Sequence, residues 1–167
     1  MTKDQKDTAG MYLMFSAGII MNFVPVLTSQ FLGLCMILVA LIGAYLYKAK
    51  SRLDSLTYNH MTYLIGTIWV SSFLLLIGMI IAVIWVYQLG DHTVIMEVVT
   101  GANNGVLFTQ DELETVMQNY IQRNMTLLLT ATGTTLGPGL IYIIYRVTNG
   151  LRLAVRGDRF EKPARWF

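Results

Sequence analysis

The chain has 167 residues, of which 54% are hydrophobic and 13% are charged, against roughly 25% charged residues in soluble domains. Uncharged runs follow Asp7, Asp54 and Arg123, and each is longer than the ~20 residues that a helix needs to cross hydrocarbon. The sequence therefore predicts an integral membrane protein and excludes an ordinary soluble domain. A net charge of +2 is too small to indicate nucleic-acid binding.

The first uncharged run, residues 8–47, is long enough for two spans. As a single helix it would extend ~60 Å, twice the ~30 Å hydrocarbon core. Asn22, Pro25 and Gln30 mark the turn, because proline removes a backbone donor and disfavours helical geometry in the residue before it. We predict spans over residues 10–26 and 30–47, joined as an antiparallel hairpin.

The two later runs predict one span each, over residues 61–87 and 124–145. Gly133 and Gly137 lie four residues apart in the last span and are followed by Pro138. Small residues at this spacing let two membrane helices approach closely, and proline kinks a helix. We expect a helix-contact face at these three residues, although glycine is common enough in membrane helices for the spacing to arise by chance.

The segment between the last two spans, residues 89–123, has structure of its own. Thr109 and Glu112 form a capping-box pattern that predicts the start of a helix. An amphipathic stripe then follows at helical spacing, consisting of Leu113, Val116, Met117 and Tyr120. A β-branched run over 93–99 and the turn dipeptide Asn104-Gly105 weakly favour a small hairpin before it. The stripe either contacts a partner or merely caps the bundle.

Basic residues orient the predicted spans. Eleven of the twelve lysines and arginines precede the first span, separate the second from the third, or follow the last. Because cytoplasmic loops are enriched in lysine and arginine, both termini are expected in the cytoplasm. The expected fold is one all-α membrane domain over residues 1–167, with four transmembrane helices, a small extracytoplasmic segment over 89–123 and a basic interfacial tail over 146–167. The tail carries Arg146, Arg152, Arg156 and Arg159 as candidate contacts for lipid or a partner.

The sequence gives no support for an enzyme, a cofactor or a metal site. The predicted spans hold no Asp, Glu, Lys or Arg, whereas coupled transporters depend on ionisable groups at membrane depth. His60 and His92 fall at opposite ends of the third span, so they do not supply one metal site. Thr130 and Thr134 in the last span would either line a pore in an oligomer or hydrogen-bond within the membrane.

Two motifs frame the last two spans. His60, Thr67 and Trp69 mark the entry to the third span, and Tyr145, Arg146, Gly150 and Leu151 mark the exit from the fourth. This pattern resembles a family of small uncharacterised bacterial inner-membrane proteins, although Gly66 stands where that family has arginine. The resemblance implies a bacterial inner-membrane address and a compact helical bundle, but no activity. We treat His60 and Trp69, like the tail arginines, as candidate interfacial, lipid or partner contacts.

The resulting functional expectation is an accessory or structural subunit of a larger inner-membrane complex, for example a secretion, respiratory or envelope assembly. Its expected partners are the lipid bilayer and other membrane subunits. The alternatives are a small homo-oligomeric channel or facilitator and an immunity-type membrane protein.

Overall fold

The computed structural model describes residues 1–164 and places most of them in helices. Arg165, Trp166 and Phe167, at the end of the predicted interfacial tail, lie outside the described residues. No strand occurs over residues 1–164. The helices in chain order are α1 (Lys3–Asn22), α2 (Leu27–Lys50), α3 (Leu56–Leu89), α4 (Thr93–Asn103), α5 (Gln110–Arg123) and α6 (Met125–Arg156).

Three of these helices, α2, α3 and α6, are long and apolar enough to cross a membrane. The all-α multi-pass character is therefore confirmed, but the predicted count of four spans is wrong. The first predicted span, residues 10–26, belongs to α1, which starts at Lys3 and ends at Asn22. Its first turns carry four charged residues, and the apolar remainder extends only ~20 Å at 1.5 Å per residue. That is well short of the ~30 Å hydrocarbon core.

The hairpin of α1 and α2 forms as predicted. Val24 and Val26 join the helices through a tight turn, and Val26 adopts an extended conformation before α2 begins. Gly18 lies against the backbone of Gly33, while Met11 lies against Gly43. These paired positions run in opposite directions along the two helices, so the hairpin is antiparallel.

The expected single domain consists of two compact units. Unit 1 contains residues 1–73 and 140–167, and unit 2 contains residues 74–139. The core of unit 1 includes the fully buried side chains of Tyr12, Phe15, His60, Met61 and Leu64. Unit 1 thus combines the α1–α2 hairpin with the first half of α3 and the second half of α6.

In unit 2, α4 occupies the segment where a hairpin was considered, so that expectation is wrong. The Asn104-Gly105 dipeptide ends a helix instead of joining two strands. Gly105 has a φ of 83°, and the amides of Gly105 and Val106 donate to the carbonyls of Ala102 and Gly101. This is the Schellman pattern of a helix C-terminus. The β-branched residues of α4 therefore form a helix, because helical hydrogen bonds and the C-terminal cap outweigh their strand propensity.

The predicted capping box at α5 is confirmed. The Thr109 hydroxyl accepts from the Glu112 amide, and the Glu112 carboxylate accepts from the Thr109 amide at 2.8 Å. The hydrogen bond from the Thr109 amide is the main cause that lowers the pKa of the Glu112 carboxyl, and the Thr109 hydroxyl lowers it further.

The last span and the helical part of the tail form one helix. The helix α6 ends at Arg156, and Gly157 follows with a φ of 82°. The helix continues through Pro138. After Gly157 the chain turns back, because the Gly157 and Asp158 amides both bond the Leu153 carbonyl.

Candidate functional site

A buried polar cluster lies in unit 1, where α1, α3, α6 and the chain after α6 meet. We call it the His60–Arg146 cluster, and its members are Tyr12, His60, Tyr63, Thr67, Arg146 and Phe160. Polar groups buried in a membrane protein are costly unless they are hydrogen-bonded. The cluster is therefore the strongest candidate for a site built by this chain.

His60 has no exposed surface, and both of its ring nitrogens are engaged. Nε2 lies 2.8 Å from the Asp158 carbonyl oxygen. Because a carbonyl can only accept, Nε2 carries the hydrogen and Nδ1 of the neutral ring accepts from the Tyr12 hydroxyl at 3.2 Å. The ring therefore links α1 to the segment after α6 through a single tautomer.

Arg146 is 5% exposed and packs on Tyr63. Its guanidinium carbon lies 3.5 Å from the centre of the Tyr63 ring, and its Nε donates to the Thr67 hydroxyl at 3.1 Å. The Phe160 ring also stacks on Tyr63, with the two ring centres 3.7 Å apart. Cation–π contact is strengthened when the partners are desolvated, so this stack holds α3, α6 and the tail together.

The tail is also clamped to α3 through its backbone. The Asn59 side chain donates to the Phe160 carbonyl at 2.8 Å and accepts from the Phe160 amide at 2.8 Å. Arg159 donates to the Asp54 carbonyl at the loop before α3. These bonds join residues about a hundred positions apart, so residues 158–160 form a docked segment.

The structure corrects the expectation that His60 and Arg146 contact lipid or a partner, because both side chains are buried among residues of unit 1. Trp69 does remain open, being 58% exposed, and its indole donates to the Tyr45 hydroxyl at 3.1 Å. Arg152, Arg156 and Arg159 are exposed. For Trp69 and these three arginines, a lipid or partner contact stays a prediction.

The predicted contact face of α6 is open among residues 1–164. A methyl group added at Gly133 or Gly137 would meet no described atom within 4 Å apart from the adjacent backbone of α6, and Pro138 is exposed. The close helix contacts of unit 2 occur at other glycines. Gly78 of α3 lies against Thr135, and Gly139 of α6 lies against Leu75.

The predicted stripe of α5 is only partly covered. Leu113 is 46% exposed and Met117 is 54% exposed, whereas Val116 and Tyr120 are half-buried. The Tyr120 ring stacks on His92, with ring centres 5.7 Å apart. The helix therefore uses part of its apolar stripe inside unit 2 and leaves the rest open.

Polar groups lock the two ends of the segment that contains α4 and α5. The Asn124 side chain accepts from the Asp91 amide at 2.7 Å and donates to the Asp91 carbonyl at 3.0 Å. Arg123 pairs with the Asp91 carboxylate at 3.4 Å. The Asp91 carboxyl pKa is lowered, first by the Thr93 hydroxyl and amide and then by Arg123.

Sequence reasoning missed Tyr12, Asn59, Tyr63 and Phe160 as members or supports of the cluster. The one sequence signal for a close approach to α6 was Gly150 in the motif at the exit of the last span. A side chain at Gly150 would collide with the Tyr12 ring, so the glycine is needed where Tyr12 reaches α6.

The His60–Arg146 cluster can position helices and the tail, and its groups are suited to hydrogen bonding and stacking. Among residues 1–164, no group of three His, Cys, Asp or Glu side chains is placed to hold a metal ion. No protein-family model, curated protein or solved structure matches this chain.

Proposed function

We propose that this protein is a non-catalytic accessory subunit of a larger assembly in the bacterial inner membrane. The observation that carries the proposal is the open small-residue face of α6. Thr130, Gly133, Thr134 and Gly137 recur at helical spacing, and the two glycines have no neighbour within 4 Å. Membrane helices associate through such faces because small residues let their backbones approach. A helix of another subunit is the occupant that this face fits.

The open part of the α5 stripe adds support. Leu113 and Met117 lie one turn apart and are both about half exposed. Glu112 and Glu114 flank Leu113, which disfavours attraction to anionic lipid headgroups. A protein surface is therefore the better-suited partner for the part of the stripe at Leu113.

The orientation we propose follows from charge and from the antiparallel hairpin. Gln5 near the start of α1 donates to the Val155 carbonyl near the end of α6, and Tyr12 meets His60 at the start of α3. The basic residues at the start of α1, at the end of α2 and in the loop after it, and at the end of α6 thus share one end of unit 1. By the positive-inside rule this end faces the cytoplasm.

The test is to solubilise the protein at native abundance, size the resulting particle and identify the chains that co-purify. Stoichiometric unrelated membrane proteins are expected, and the double change Gly133→Leu with Gly137→Leu should release them. Gly10→Leu is the matched control, because Gly10 is also a helical glycine with no neighbour within 4 Å. A single species made only of identical subunits would overturn the proposal.

The channel alternative gives a different result. The hydroxyls of Thr132, Thr134 and Thr135 donate to carbonyls one turn earlier in α6, at 2.6–2.8 Å. Their hydrogens are thus used by their own helix, which favours a packing role. If Thr130→Val with Thr134→Val abolished ion or solute flux in vesicles while assembly stayed intact, the channel would be the correct function.

A further inference from the structure

Unit 2 has an apolar cavity of about 450 Å³ that is open to its surroundings, and its volume is within the usual range for small-molecule sites. Its walls come from four helices. Ala82, Val83 and Val86 lie on α3, Ile95 on α4, Met117 on α5 and Leu128 on α6. Thr132 also lines it, but its hydroxyl donates to the Leu128 carbonyl at 2.6 Å.

Two contacts, one within α3 and α6 and one just beyond their ends, bound the interval in which the cavity lies. Gly78 of α3 meets the backbone of Thr135 in α6. Asp91, which follows α3, and Asn124, which precedes α6, exchange two hydrogen bonds. From Gly78 to its end at Leu89, α3 runs for about 17 Å, and the cavity lines part of this interval, with α4 and α5 contributing the remaining wall.

Part of the cavity lining is polar and aromatic. Tyr87, His92 and Tyr120 all line it. His92 Nε2 lies 2.9 Å from the Tyr87 carbonyl, and Nδ1 lies 3.4 Å from the Tyr120 hydroxyl. Aromatic residues with a polar group beside hydrocarbon are typical of a membrane interface.

The cavity is open to the surroundings of unit 2, because its lining residues Val83 of α3 and Met117 of α5 are 60% and 54% exposed. Of the three helices able to cross a membrane, α3 is the most hydropathic, so the medium next to Val83 is lipid hydrocarbon. An apolar cavity left empty would forfeit dispersion contacts along its walls, and its lining offers few polar partners to water.

We propose that this cavity is a binding site for one hydrocarbon chain of a membrane phospholipid, which enters beside Val83 and leaves its headgroup at the level of His92 and Tyr120. The chain would lie against Ile95 and Met117, which belong to helices outside the membrane-spanning ones. A bound lipid would thereby join α3 and α6 to the outer helices α4 and α5. This inference concerns unit 2 alone and does not depend on the proposed accessory role.

The experiment uses the full chain in vesicles containing phosphatidylethanolamine with a photoreactive diazirine in its acyl chain. After irradiation, labelled residues are mapped by mass spectrometry. Met117 should be labelled at least threefold more than Leu113 of the same helix, and Ile95 at least threefold more than Met96. Leu113 and Met96 are exposed but do not line the cavity.

Val83→Trp should fill the opening and reduce labelling of Met117 and Ile95 at least fivefold. Ile84→Trp is the matched control, because Ile84 is an exposed neighbour on α3 that does not line the cavity. Equal labelling of lining and non-lining residues in the unmodified protein would overturn the proposal whether or not Val83→Trp folds. A diazirine-labelled free fatty acid is the second probe. If it labels these residues and the phospholipid does not, the bound hydrocarbon chain belongs to a free fatty acid, and the phospholipid proposal is overturned.

Discussion

Gly150→Ala tests the packing of the His60–Arg146 cluster. A β-carbon at position 150 would lie 2.6 Å from Tyr12 Cζ and 2.8 Å from the Tyr12 hydroxyl oxygen, whereas carbon atoms pack comfortably at about 3.5–4.0 Å. Tyr12 has no exposed surface, and its hydroxyl is held by His60. The ring must therefore move by about 1 Å inside a packed core, a distance that follows from these contact separations.

The magnitude follows from two opposing effects. Overpacking a core costs about 1–3 kcal/mol, and a broken Tyr12–His60 hydrogen bond adds about 1 kcal/mol. Replacing glycine by alanine inside a helix returns about 1 kcal/mol. The net loss of unfolding free energy is about 1–3 kcal/mol, which corresponds to a Tm lowered by about 2–12 °C for a chain of this size.

The assay is thermal unfolding in detergent, compared with Gly10→Ala. Gly10 lies in α1 with no neighbour within 4 Å, so its substitution should leave Tm unchanged or raise it. Adding Tyr12→Leu to Gly150→Ala should recover part of the lost stability, so the effects of the two substitutions in a double-mutant cycle should not be additive. If Gly150→Ala were as stable as Gly10→Ala, the packing of Tyr12 against α6 would be refuted.

Three further predictions concern the tail, the buried arginine and the outer helices. Asn59→Leu should speed amide exchange at Phe160 at least tenfold, because two hydrogen bonds are lost. Arg146→Lys should lower Tm by several degrees, because an ammonium does not reproduce the planar stack and directed Nε–H bond of a guanidinium. Asp91 and Glu112 have pKa values lowered from their ordinary 3.8 and 4.5, so they stabilise the fold above those values. This contribution is lost as the pH falls through the lower folded-state pKa values, and amide exchange in α4 and α5 should then rise.

The tail and the outer helices each have a control within the chain. Asn119→Leu changes an exposed asparagine of α5 in unit 2, away from the cluster, so exchange at Phe160 should be unaffected. Unchanged exchange in Asn59→Leu, or a Tm for Arg146→Lys equal to that of the unmodified protein, would contradict the cluster geometry. Asp91→Asn with Glu112→Gln should remove the acid sensitivity of α4 and α5. If amide exchange in α4 and α5 still rose at low pH in that double variant, other titratable groups would be responsible for the acid sensitivity.

Local signals in the sequence were sufficient for the features that arise from local physics. Thr109 and Glu112 specify a helix start because a capping box closes within one turn. Gly157 specifies the end of α6 because glycine takes a left-handed conformation at little cost. Pro25 and the polar residues around it specify the α1–α2 turn. The uncharged runs identified α2, α3 and α6 as helices able to cross a membrane, although the charged first turns of α1 were undervalued.

The β-branched run in α4 shows where local preference fails. Residues 93–99 favour a strand by composition, yet the backbone bonds helically and ends in the Gly105 cap. Strand propensity reflects packing on a sheet, and no sheet neighbour exists within residues 1–164. The absence of a partner strand in the described chain therefore decides the outcome.

The sequence by itself determined that the protein is helical and rich in membrane-competent segments, because charge-free length and capping chemistry are local properties. Only the tertiary structure decided what His60 and Arg146 do. They looked like interfacial residues because each stands at the end of an apolar run, but Tyr12, Tyr63 and Phe160 come from distant parts of the chain and bury them. The cavity beside Val83 has the same origin, since a gap between α3 and α6 depends on where two helices touch and on which other helices close the space.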